Sequence, residues 1–81
     1  MYSIMAVKIS SRNSKAPRVQ EVLTKHGCII ITRVGFHETS EAQCATDGFV
    51  ILQLHGQENE IKALYDELKE LDGVTPKMIE F

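Results

Sequence analysis

The chain has 81 residues, enough for one domain spanning 1–81 and no more. It is 43% hydrophobic and 25% charged with no tryptophan, an ordinary globular composition. A formal charge of −2 argues against the basic stripe of a general nucleic-acid binder, and no apolar run is long enough to cross a bilayer.

Residues Tyr2 to Ser10 alternate as a strand, with Met5, Val7 and Ile9 on one side and Tyr2, Ile4 and Ala6 on the other. No positive region precedes them, so they read as a strand and not as a signal peptide. Ser11-Arg12-Asn13-Ser14 reads as a polar loop. Asn13 or Ser14 is placed to cap a helix whose first turn would tolerate Pro17. Ala16, Val19, Val22 and Leu23 form the apolar stripe of that helix, and Gly27 is positioned to end it.

A β-branched run, Cys28 to Phe36, follows as a second strand. His37 to Thr46 is a polar connection, and Asp47-Gly48 signals a turn before the strand Phe49 to His55. Ile61, Leu64, Tyr65, Leu68 and Leu71 then mark a second helix, with Gly73 as its stop. Val74 to Phe81 closes the chain as a strand. Pro76 near its start predicts either a sheet edge or a strand entered late.

This order gives an α+β, ferredoxin-like βαββαβ sandwich, a four-stranded antiparallel sheet with two helices on one face. The other face would carry Tyr2, Ile4, Ile29 or Ile30, Phe49 and Ile51. Such a patch is too apolar for open water, so the chain is expected to pair with itself as a homodimer or homotetramer.

The pattern resembles the ACT type of regulatory domain, which binds amino acids and similar effectors at subunit interfaces. More narrowly it resembles the stand-alone ACT-like regulators of the iron-only hydrogenase system. In that family an (I/L)-x-R-V-G-(Y/F) strand and a closing G-V-x-x-K strand recur, matching Ile31 to Phe36 and Gly73 to Lys77. The resemblance implies a regulatory, ligand-responsive protein, and the sequence itself offers no ribbon-helix-helix or helix-turn-helix segment to read DNA. The C-terminal domain of nickel-responsive repressors shares the architecture but binds metal through a His-x-His on the second strand. Here that stretch reads Arg33-Val34-Gly35, and a guanidinium cannot ligate a cation.

Effectors of ACT-type domains sit at the loop after the first strand, which here places Ser11, Arg12, Asn13 and Ser14 as ligand contacts. Arg33 and Gly35 complete the expected site. On the open side of the sheet Arg33 would be the one charge that a buried face must accommodate. His37 and Cys44 are the alternative, a metal pair in the polar connection, although zinc needs three or four converging ligands. No catalytic set and no cofactor is expected. Cys28 and Cys44, without an export signal, point to the reducing cytoplasm and against a disulfide.

Overall fold

The computed structural model describes residues 3–10, 12–39 and 44–80, with side chains described at 3–10, 17–35 and 48–80. The elements run β1 (Ser3–Ile9), α1 (Arg12–Lys25), a 3₁₀ turn at Gly27–Ile29, β2 (Ile30–Thr39), β3 (Cys44–Leu54), α2 (Glu58–Glu70) and β4 (Val74–Glu80). The strands form one antiparallel sheet in the order β2-β3-β1-β4, the ferredoxin-like arrangement. β4 is an edge, one of the two outcomes that Pro76 predicts. β2 is the other edge.

Alternation along β1 works as read. Met5, Val7 and Ile9 are buried beneath the helices, while Ile4, Ala6 and Lys8 look outward. Leu52 and Leu54 of β3 share the inner side with Met5 and Ser3 through the β1–β3 register. Val19 and Leu23 of α1 and Leu64 and Leu68 of α2 descend onto them, and all four are at most 1% exposed. Ile61, Tyr65 and Leu71 pack at the margins of this core, so the whole predicted stripe of α2 faces inward. Each fully buried leucine contributes about 2–3 kcal/mol of transfer free energy.

The helix termini differ in how well the sequence announces them. Glu60 turns back on the start of α2, its Oε1 accepting the Gln57 N–H at 2.8 Å. Gly73 adopts φ +79 in the turn that leads to β4. Gly56, with φ +133, makes the tight entrance to α2, where a Cβ would stand 2.8 Å from Ile29 Cγ2. α1 begins at Arg12, so Asn13 and Ser14 lie inside the helix and do not cap it. Pro17 is its sixth residue and not part of the first turn; it removes one backbone hydrogen bond, which the rest of the fourteen-residue helix tolerates.

The hairpin also departs from expectation. β2 starts at Ile30 and not at Cys28, because Gly27 to Ile29 close a 3₁₀ turn whose Ile29 enters the core. The connection expected at His37 to Thr46 is largely strand, and Asp47-Gly48 lies within β3. Ladder bonds pair His37 with Gly48 and Thr39 with Cys44, while β1 stops at Ile9, opposite Gly48. The outer end of the hairpin is therefore a two-stranded arm beyond β1. The sequence there is mostly polar and shows no hydrophobic alternation, which is why it reads as a loop.

Candidate functional site

Register assigns each residue of the uncovered face. Ile4 lines up with Gln53 and Thr32 on one side and Ile79 on the other. Ala6 lines up with Ile51, Val34 and Lys77, and Lys8 with Phe49 and Thr75. Ile4, Ala6, Phe49 and Ile51 are half-buried, whereas Val34 is 54% and Ile79 47% exposed. The expected apolar face exists, with a corrected membership. Ile29 is buried and Ile30 packs against the core, so neither belongs to it; Val34 and Ile79 do. Tyr2 lies outside the described residues.

Arg33 is not on that face. Its register partner is Leu52, a core residue, so it stands on the helix-covered side, where it remains exposed. Its Nη2 donates to Gln20 Oε1 of α1 at 2.8 Å. A bulge accounts for the difference: the pairing shifts between Ile30 and Thr32, and a one-residue slip exchanges the two faces of a strand. The charges on the open face are instead Lys8 and Lys77. Alternation with Ile4 and Ala6, and with Thr75 and Ile79, carries that signal in the sequence.

Of the expected ligand residues, the structure describes the side chains of Arg33 and Gly35 alone. Gln20 lies eight residues beyond Arg12, about 12 Å along α1, so Arg33 meets the second half of the helix and not its start. Ser11 falls outside the described residues, as do the side chains of Arg12, Asn13 and Ser14. Gly35 is exposed on β2, on the same side as Arg33, opposite Val50. The side chains of His37 and Cys44 also lie outside the described residues. Among the described residues no three or more His, Cys, Asp or Glu cluster as a metal site.

One polar cluster ties the helices together. Glu67 of α2 meets Lys25 Nζ at 2.6 Å and His26 Nε2 at 3.1 Å. Hydrogen bonds from Lys25 and then His26 hold its carboxyl below the usual carboxylate range. The His26 side chain is only 15% exposed. Cys28, two residues on, is a free exposed thiol. On the outer side of α2 Lys62 pairs with Asp66, four residues on, at 2.7 Å.

No helix among the described residues is long and apolar enough to cross a membrane. No protein-family model matches the chain, and no curated protein does. Solved structures resemble it over nearly its full length. An uncharacterized protein of Thermotoga maritima superposes with a TM-score of 0.83 at 23% identity, covering 96% of this chain and 92% of that one. The ACT domain of a GTP pyrophosphokinase from Chlorobium tepidum gives 0.74 at 16% identity, covering 98% and 97%. A formyltetrahydrofolate deformylase from Pseudomonas putida gives 0.62 at 10%, covering all of this chain and 29% of that one. At these identities the likeness establishes the fold, which is ACT-like.

Proposed function

We propose that this ACT-like chain is a non-enzymatic regulatory module that self-associates along β2 and senses a small effector at the seam. The observation that carries the proposal is the state of its two edges. β4 is guarded by Pro76 and Lys77, the kinds of residue that keep sheet edges from pairing. β2 has neither: Ile31 to Gly35 are exposed, and Arg33 is their one charge. A continuous sheet across a twofold axis requires residues of like face to meet. With Val34 on the axis, each Arg33 stands against the other copy's Gly35, so no like charges face directly. The Val34 side chains meet on the open face and extend its apolar patch. On the other side Arg33 and Gly35 frame a place for an anionic group, recognised bidentately by the guanidinium.

The RVGF and GVTPK strands support placement with the stand-alone regulators of the iron-only hydrogenase system, acting in the cytoplasm through a partner that binds DNA. Cross-linking tests the seam. In a Cys28→Ser, Cys44→Ser background, Val34→Cys should oxidise to a covalent dimer, because residues paired on the axis fall within disulfide reach. Lys77→Cys on the β4 edge should stay monomeric on denaturing gels. Cross-linking at Lys77 and not at Val34 would overturn the reading. A thermal-shift screen of amino acids, nucleotides and inorganic anions tests the effector; stabilisation that Arg33→Ala abolishes is the expected result.

A further inference from the structure

The helices cover one face of the sheet, and joining two copies at β2 doubles the other. Across that open face the middle row runs Val34, Ile51, Ala6 and Lys77, from β2 through β3 and β1 to β4. Ile4 sits in the row on one side of it and Phe49 in the row on the other. Val34 is 54% exposed, and Ile51, Ala6, Ile4 and Phe49 are each half-buried, so apolar surface runs unbroken from β2 to β1. Contiguous apolar surface of this kind marks an interface.

Size decides what can cover it. β1 has seven residues and the sheet four strands, so one copy's face measures about 23 by 19 Å. Two single faces laid together would bury about 900 Å² in all, short of the roughly 1,200 Å² at which stable interfaces begin. Two sheets already joined at β2 would bury about 1,800 Å², well within the stable range. The charges fit the same order. With the seam at Val34, β2 and β3 lie at the centre of the joined sheet and β4 on its flanks. Val34 and Ile51 are then central, while Lys77 falls on a flank. Lys8 is the last outward-facing residue before β1 ends at Ile9. An apolar centre inside a polar rim is the usual anatomy of an interface. From the rim the lysine stems lie over apolar surface while their ammonium groups reach water.

We propose that two β2-joined pairs stack open face to open face, giving a tetramer with Val34 and Ile51 at its buried centre. The occupant of the face is thus a second copy of the same double sheet. Sheets stacked this way lie about 10 Å apart, with their strands within about 30° of one another. The stack rests on the β2 seam and sets an order of assembly, since a single face is too small to hold by itself. Anything that opens the seam therefore also dissolves the stack.

Sedimentation velocity on the full chain at micromolar concentrations tests the stack. Ile51→Lys stands away from the seam and puts like charges together at the buried centre. The expected results are a tetramer for wild type, a folded dimer for Ile51→Lys and a monomer for Val34→Lys. Ile51→Thr keeps a β-branched residue on the strand. It should weaken tetramer formation about tenfold or more with its circular dichroism unchanged, so the test does not hang on the folding of the lysine variant. A wild type that stops at the dimer, or a tetramer that neither Ile51 variant weakens, would overturn the stack and leave the seam standing. A wild-type monomer would overturn both.

Discussion

Arg33 Nη2 donates a 2.8 Å hydrogen bond to Gln20 Oε1, which fastens the edge strand β2 to α1 on the helix-covered side of the sheet. Both residues are exposed, so water competes for each partner. Arg33→Ala should therefore lower the free energy of unfolding by no more than about 1 kcal/mol in urea titrations. The same variant should lose any effector-induced stabilisation while keeping its sedimentation coefficient. A loss of several kcal/mol would mean that Arg33 is a structural anchor and not a reader of ligand.

Glu67 joins α2 to the end of α1, and its folded-state carboxyl titrates lower than in the unfolded chain. The unfolded state then takes up that proton first as pH falls. The stabilisation is complete above the ordinary carboxylate pKa of about 4.3 and is lost as pH drops through the lower, folded value. Urea titrations between pH 2.5 and 6 should show wild type exceeding Glu67→Gln at the upper end, with the gap closing toward the lower. A gap independent of pH would contradict the ionic role.

Gly56 is required by its backbone and by its neighbour. At φ +133 any side chain is strained, and a Cβ would press on Ile29 at 2.8 Å, a residue buried in the core. Gly56→Ala should cost about 1–3 kcal/mol, measured as a lowered urea midpoint at unchanged slope. Gly27, whose Cβ would meet nothing within 4 Å, is the control and should tolerate alanine far better.

The sequence is most readable where periodicity and burial agree. Ile61, Leu64, Tyr65, Leu68 and Leu71 announce α2, and Met5, Val7 and Ile9 announce the inner face of β1, because each element buries one side only. CIIITRVGF is harder. It is apolar at both parities, so alternation cannot say which way Arg33 points, and the bulge at Ile31 reverses the faces part-way. The arm at His37–Thr39 and Cys44–Asp47 is held by backbone bonds that leave no mark on side-chain pattern.

The central claim is that β2 is the surface on which copies of the chain meet. Sedimentation velocity across roughly 1–100 μM, comparing wild type with Val34→Lys, tests it most directly. Val34 is 54% exposed, so the substitution leaves the core intact, yet it sets two like charges together on the proposed axis. The account predicts a wild-type dimer or a larger even assembly, and a folded monomer for the variant. A monomeric wild type throughout that range, or an assembly unchanged by Val34→Lys, would contradict it.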